Sequence, residues 1–108
     1  MNVDNVKSQM RKGMLDYCIL LLLHKEQAYA SDIIRKLKES RLIVVEGTLY
    51  PLLTRLKNDD FLSYEWIESP QGPPRKYYKL TDKGEGFLKE LETLWKELNE
   101  TVNHLANN

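Results

Sequence analysis

This sequence has little of what many functional classes require. A single cysteine, Cys18, excludes an internal disulfide and a four-cysteine zinc site. The longest apolar run covers residues 18–23, far short of the ~20 residues that a membrane-spanning helix needs. The five glycines form no phosphate-binding loop, and His24 and His104 stand in no catalytic or metal-ligand spacing. We therefore expect no catalytic activity, no metal or cofactor, and no membrane insertion.

Net charge is also lacking, because the 108 residues carry 16 basic and 16 acidic side chains. The distribution is more informative than the sum. Residues 1–80 hold 13 basic and 10 acidic side chains, whereas residues 81–108 hold 3 and 6. The first residues show no charged-then-apolar secretory pattern, so we expect a cytoplasmic protein. The length predicts one compact unit with an electrostatically distinct carboxy-terminal segment.

Helical periodicity dominates the first half of the chain. Apolar residues recur at helical spacing from Lys7 to Lys25, and Gly13 is the only strong breaker in that stretch. Ser31 is a good N-cap for a short second helix. Residues 41–45 are rich in β-branched side chains and predict one extended segment. Leucines at helical spacing then predict a third helix that runs to about Asn58.

The period changes from 3.6 to 2 beyond that helix. Residues 62–67 and 75–80 alternate and are rich in aromatics, which predicts a β-hairpin with the long tip 68–74. Thr81 is suited to cap a final helix that ends at about Leu105. The predicted fold class is therefore mainly α with a β-hairpin, in a winged helix-turn-helix arrangement with one additional carboxy-terminal helix.

A helix-turn-helix inserts its last helix into the major groove of DNA. The candidate DNA contacts on the non-leucine side of the third helix are Thr48, Tyr50, Pro51, Thr54, Arg55 and Lys57. The candidate contacts on the hairpin, where two adjacent cations follow a proline- and glycine-containing tip, are Gly72, Arg75 and Lys76. An ordinary solvated helix face and an ordinary polar turn explain the same residues. Residues 46–80 hold five basic and five acidic side chains, so affinity would depend on where the cations are placed.

Three stretches together resemble one family. They are residues 10–20 (MRKGMLDYCIL), residues 47–56 (GTLYPLLTRL) and residues 74–84 (PRKYYKLTDKG). The chain resembles the PadR family of bacterial transcriptional regulators from about residue 8 to residue 105, and its short last helix is similar to that of the compact subgroup. The resemblance implies a homodimeric repressor whose third helix and wing bind double-stranded DNA.

The chain departs from the family pattern at two positions. Ala30 and Asp60 stand where the family usually has glycine. Because Asp tolerates positive φ better than most residues, we expect the turn at Asp60 to be retained. Ala30 places a methyl group where glycine would allow a close approach of the backbone to a phosphate.

The last helix carries two apolar stripes. The candidate dimer interface comprises Phe87, Leu91, Leu94, Trp95, Leu98, Val102 and Leu105. Six positions from residue 87 to residue 105 follow a/d heptad spacing, and a second stripe repeats every seven residues. We expect these stripes to pack on the helix's own domain and on a second copy of the chain. A helix folded back onto a monomer is the alternative.

Trp95 allows two interpretations. A pair of indoles near a two-fold axis would sandwich a planar aromatic or cationic molecule. Plain interface packing, where tryptophan is common, is the interpretation that the residue by itself favours. The resemblance favours the ligand, since multidrug-binding members of the compact subgroup have tryptophan at the same distance from the glycine that corresponds to Gly84.

Residues 1–80 are thus predicted to form a winged helix-turn-helix DNA-binding domain, and residues 81–108 a dimerisation helix. The predicted function is a homodimeric repressor that binds a pseudo-palindromic operator and is released by a planar hydrophobic effector. The alternative is a winged-helix module for ligand sequestration or protein interaction, without specific DNA binding.

Overall fold

The computed structural model describes residues 2–108, which fold as helices around a three-stranded antiparallel sheet. The elements in chain order are α1 (Val3–Lys12), α2 (Met14–Lys25), β1 (Ala28–Tyr29), α3 (Ala30–Glu39), α4 (Glu46–Asn58), β2 (Leu62–Ser69), β3 (Gly72–Leu80) and α5 (Asp82–Ala106). This arrangement confirms the predicted fold class, a mainly helical winged helix-turn-helix with a carboxy-terminal helix.

The prediction of one helix from Lys7 to Lys25 is wrong at Gly13. The chain forms two helices there, α1 before Gly13 and α2 after it. Glycine weakens a helix interior by about 1 kcal/mol. The two helices also have different environments, since α2 buries Ile19, Leu20 and Leu23 whereas α1 buries none of its residues. The helix after Gly13 therefore enters the core, while α1 stays on the surface.

Two boundaries around α3 differ from the prediction. The helix begins at Ala30 instead of after Ser31, and the Asp32 carboxylate accepts a hydrogen bond from the Tyr29 backbone N–H at 3.2 Å. The helix ends at Glu39, and Arg41, the first residue of the predicted extended segment, instead adopts a φ of +67°. Residues 41–45 join no strand, and the third strand is instead β1, whose two residues are too few to show an alternating pattern.

The sheet has the strand order β1-β3-β2, with both pairs antiparallel. Both hairpin strands extend further than predicted, so the tip 68–74 shrinks to the turn Pro70-Gln71. The pairing shifts by one residue between Ile67 and Ser69, opposite the two prolines of β3. Below this bulge, Trp66 lies opposite Lys76 and Tyr64 lies opposite Tyr78. This register determines which side chains share a face of the wing.

The hydrophobic core lies where α2, α3, α4 and the first turns of α5 meet the sheet. Its buried members are Ile19, Leu20, Leu23, Ala28, Ala30, Ile33, Leu37, Val44, Leu49, Leu53, Leu56, Leu62, Tyr78 and Leu88. Three of the leucines on α4 are buried, so the opposite side of that helix faces outward, as the periodicity predicts.

A compact junction connects the end of α4, the start of β2 and the start of α5. Asp60 adopts a φ of +64°, which confirms the expectation that this residue accepts the turn. The Thr81 hydroxyl donates to the Asp60 carbonyl oxygen at 2.6 Å and accepts from the Gly84 N–H at 3.0 Å. A Cβ at Gly84 would lie 2.1 Å from the Phe61 carbonyl oxygen. The direction of α5 relative to the wing therefore depends on this close approach.

Candidate nucleic-acid interface

A cleft opens between the amino end of α3, the outer side of α4 and the hairpin. Its volume is about 490 Å³. The residues that line this wing cleft are Tyr29, Ala30, Ser31, Tyr50, Thr54, Trp66, Pro74, Arg75, Lys76 and Tyr78. Four of the predicted DNA contacts, two from α4 and two from the wing, are thus brought together although some twenty residues separate them in sequence.

The charge in the wing cleft has one sign. Among the described residues that line it, Arg75 and Lys76 are cationic and none is a carboxylate. The acidic residues that balance the charge of residues 46–80 lie outside this lining. Residues 46–80 are therefore neutral in sum, but the surface of the wing cleft is cationic. A cationic surface attracts a polyanion.

The two cations of the wing are held in place by aromatic rings on different sides of β3. The Lys76 Nζ lies 4.5 Å from the centre of the Tyr64 ring and 5.4 Å from that of Trp66. The Arg75 guanidinium lies 5.6 Å from the Tyr29 ring, which in turn packs on Tyr77 at 4.8 Å. Alternation along the strand separates the two adjacent residues, and each ring–cation contact restricts a flexible side chain.

The remaining predicted contacts of α4 lie away from the wing cleft. Thr48, Pro51 and Arg55 border a second groove of about 900 Å³, which is formed by α1, α2, α4 and residues 42–45. Arg55 donates from Nη2 to both oxygens of Asp16 on α2, at 2.9 and 3.2 Å. Lys57 is near the carboxy end of α4, and its Nζ lies 5.8 Å from the centre of the Tyr64 ring. The six residues of α4 therefore point to two different sides of the helix.

Gly72 stands at the first position of β3 and is exposed. Its backbone has a negative φ, and an added Cβ would meet nothing within 4 Å. It is not among the residues that line the wing cleft. Ala30, the departure from the family glycine, is 7% exposed and belongs to the core, so little of its methyl group reaches the cleft.

Several residues of this cleft are not among the DNA contacts predicted from the sequence. Trp66 is 62% exposed, and Tyr29, Ser31, Pro74 and Tyr78 also belong to the lining. Period-2 alternation places Trp66 on the face of Tyr64, and the observed register adds Lys76 and Tyr78 to that face. Burial raises the pKa of the Tyr78 hydroxyl above its ordinary value of 10.0, and the neighbouring Tyr50 and Tyr64 contribute to the same shift.

The last helix divides into two halves. Gly84 and Leu88 are buried and Phe87 and Leu91 are half-buried, so the first half packs on the core of its own chain. The apolar residues that remain exposed on the second half are Leu94, Trp95, Leu98, Val102 and Leu105. Trp95 is 43% exposed, and the apolar residues Val3 and Met10 of α1 are also exposed.

Neither a membrane-spanning helix nor a metal-ligating cluster was found within residues 2–108. A three-helix core with a two-stranded wing, and a cationic cleft between the wing and the last core helix, defines a winged helix-turn-helix protein. The model of the transcriptional regulator PadR-like family matches residues 19–90. The chain belongs to this family of transcriptional regulators, which confirms the resemblance that the sequence motifs indicate.

Solved structures of the same family support this assignment. A PadR-like transcription factor from Bacteroides fragilis is 86% identical, with a TM-score of 0.81 over 94% of this chain and 98% of that one. A PadR-like transcriptional regulator from Bacillus cereus is 38% identical, with a TM-score of 0.82 over 93% and 98% of the two chains. A PadR family regulator from Eggerthella lenta is 35% identical, with a TM-score of 0.83 over 95% and 87%. The family implies a DNA-binding regulator, a class of protein that is not enzymatic.

Proposed function

We propose that this protein is a homodimeric transcriptional repressor that binds operator DNA with α4 and the β-hairpin. The observation that carries the proposal is the wing cleft, which Arg75 and Lys76 line together with Tyr50 and Thr54 of α4 and whose described lining has no carboxylate. A regulator of this kind acts in the cytoplasm, where it meets the DNA that it controls.

The two parts of the interface have different tasks. The first turns of α4, with Thr48, Tyr50 and Pro51, enter the major groove, where side chains contact base edges. Arg75 and Lys76, together with the Thr54 hydroxyl, bind phosphates and set the register of the protein on the DNA.

Three further residues complete the proposed interface. Gly72 lies at the tip of the wing, beside the DNA backbone. Lys57 and Arg55 contribute at the carboxy half of α4, and Arg55 must exchange its partner Asp16 for a phosphate.

Dimerisation through α5 supplies the second half-site. The exposed stripe with Leu94, Leu98 and Leu105 continues the a/d spacing of the half-buried Phe87 and Leu91, and Trp95 and Val102 lie beside it. A two-fold axis along this stripe presents two copies of α4 to a pseudo-palindromic operator, with half-sites separated by about one turn of DNA.

Trp95 is the proposed effector contact. Trp95 is 43% exposed in the single chain and belongs to the exposed apolar residues of α5. Two such rings across a dimer axis would hold a planar aromatic or cationic molecule between them. Binding there would change the separation of the two DNA-binding heads and release the operator.

The DNA-binding part is tested by fluorescence anisotropy with a labelled duplex from immediately upstream of the gene and a scrambled duplex of equal length. The native chain should bind the first duplex selectively and weaken steeply as salt rises. Arg75→Gln, Lys76→Gln and Arg55→Gln should lose affinity while the dimer stays intact. Lys89→Gln, which removes a cation from the exposed side of α5, is the matched control and should bind like the native chain.

Equal and weak binding to both duplexes would favour the other candidate, a winged-helix module for ligand sequestration or protein interaction.

The proposed effector site has its own test, in which planar dyes are titrated while tryptophan fluorescence is recorded. Quenching that disappears in Trp95→Ala supports the site, because Trp66 is then the remaining tryptophan. Unchanged fluorescence across the dye panel would contradict it.

A further inference from the structure

The most exposed aromatic ring of the wing, that of Trp66, is not among the DNA contacts proposed above. Trp66 is 62% exposed although it sits in the middle of a paired strand. Its ring meets the Tyr64 ring edge-on, with centres 6.1 Å apart and planes at 83°. The Lys76 Nζ lies 5.4 Å from the centre of the Trp66 ring. These neighbours hold the ring in place while most of its surface stays open.

The open surface of Trp66 lies in the wing cleft. The ring shares that lining with Tyr50 and Thr54 of α4 and with Lys76, its cross-strand partner. An apolar ring and an ammonium group therefore stand side by side on one face of the wing. A DNA backbone repeats the same pair of properties, because each charged phosphate is followed by an apolar deoxyribose. Because the Lys76 Nζ lies only 5.4 Å from the centre of the Trp66 ring, the two groups can meet one phosphate and its neighbouring sugar together.

We propose that Trp66 is a direct DNA contact of the wing, with its ring packed on a deoxyribose while Lys76 binds the adjacent phosphate. This inference rests on the proposed function, since it requires that the wing cleft receives DNA. The two side chains act differently. The contribution of Lys76 falls as salt rises, because phosphate contacts release counterions. The contribution of Trp66 is apolar and stays nearly constant with salt.

The first test compares Trp66→Ala, Trp66→Phe and Ile67→Ala for operator binding over a series of salt concentrations. Trp66→Ala should bind about tenfold more weakly at every salt concentration, with an unchanged salt slope, because it loses apolar contact but no charge. Trp66→Phe keeps a ring and should lose less. Ile67→Ala is the matched control, because it removes an apolar side chain from the next residue, which points to the other face of the strand.

The second test uses acrylamide quenching of the same proteins. The difference between the native chain and Trp66→Phe reports on Trp66 alone. Quenching of Trp66 should be strong in the free protein and should fall when operator DNA is bound. Native affinity in Trp66→Ala, or equal quenching with and without bound DNA, would overturn the inference. A native chain that binds no DNA would instead overturn the proposed function, so the two failures are distinct.

Discussion

Arg55 on α4 and Asp16 on α2 form an ion pair across the helix-turn-helix core. One guanidinium nitrogen donates to both carboxylate oxygens, at 2.9 and 3.2 Å, although 39 positions separate the residues. The Arg55 side chain is 59% exposed, and exposed pairs of this kind contribute less than about 1 kcal/mol. The pair therefore orients Arg55 more than it stabilises the fold, and it competes with any phosphate for the guanidinium.

The first prediction concerns this competition. Asp16→Asn should lower the free energy of unfolding by less than about 1 kcal/mol. Operator affinity should rise several-fold, because Arg55 is freed and one negative charge leaves the surface of the head. Denaturant unfolding and anisotropy measure the two effects. Glu100→Gln removes one charge from the far end of α5 and should change neither. Lower affinity in Asp16→Asn would show that the pair positions Arg55 for DNA.

The second prediction concerns the start of α5. Gly84→Ala places a Cβ 2.1 Å from the Phe61 carbonyl oxygen, so the helix has to shift away from the core. We expect a loss of about 3 kcal/mol or more in denaturant unfolding at fixed protein concentration. Gly86→Ala, two residues along the same helix, meets nothing within 4 Å and should gain up to about 1 kcal/mol from helix propensity. Equal effects at the two glycines would contradict the close packing.

The third prediction tests the turn after α4. Asp60 has a φ of +64°, a conformation that costs less for glycine than for other residues. Asp60→Gly should therefore raise the melting temperature, with a gain of up to about 1 kcal/mol. Asp59 has a φ of −83°, so Asp59→Gly should give no gain and a small loss. A loss of stability in Asp60→Gly would mean that the Asp side chain itself supports the turn.

The fourth prediction is a pH dependence at Tyr78. Burial raises the pKa of its hydroxyl above 10.0 in the folded chain, so the unfolded chain releases this proton first. Stability is therefore complete below the ordinary pKa and falls as pH rises from there through the raised value. Tyr78→Phe should show a shallower loss of unfolding free energy between about pH 9 and pH 11. Burial, with the charge of Glu92, also raises the pKa of the Tyr17 hydroxyl. Tyr17→Phe should therefore remove a further part of the loss of unfolding free energy at high pH. Parallel curves for all three proteins would contradict the prediction.

The fifth prediction tests the dimer. Leu98→Glu places a charge in the centre of the exposed stripe of α5, where Leu98 is 60% exposed in the single chain. We expect the variant to be a folded monomer in sedimentation experiments, because a buried unpaired carboxylate disfavours the interface. Asn99→Glu adds the same charge one residue further on, outside both stripes, and should remain dimeric. A dimeric Leu98→Glu would move the interface away from this stripe.

Local sequence patterns were enough to predict the order of the three core helices, the hairpin and the last helix, the inward side of α4 and the cap of α5. Each of these depends on residues close together in the chain, such as the leucines of α4 or Thr81 and Gly84. The family motifs are also local strings, and the family assignment confirmed them. The turn at Asp60 was predictable for the same reason, because a positive φ is a property of one residue.

The composition of the wing cleft depends on contacts between residues that are far apart in the sequence. Hairpin register places Trp66 beside Lys76, and packing of α4 on α2 gives Arg55 a partner in Asp16. Strand β1 exists because it pairs with β3, and two residues carry no periodic signal of their own. Gly13 divides the first helix because only α2 has a core to enter. Contacts between residues that are distant in the sequence depend on how all the helices and strands pack together, whereas local propensity depends on neighbouring residues in the sequence.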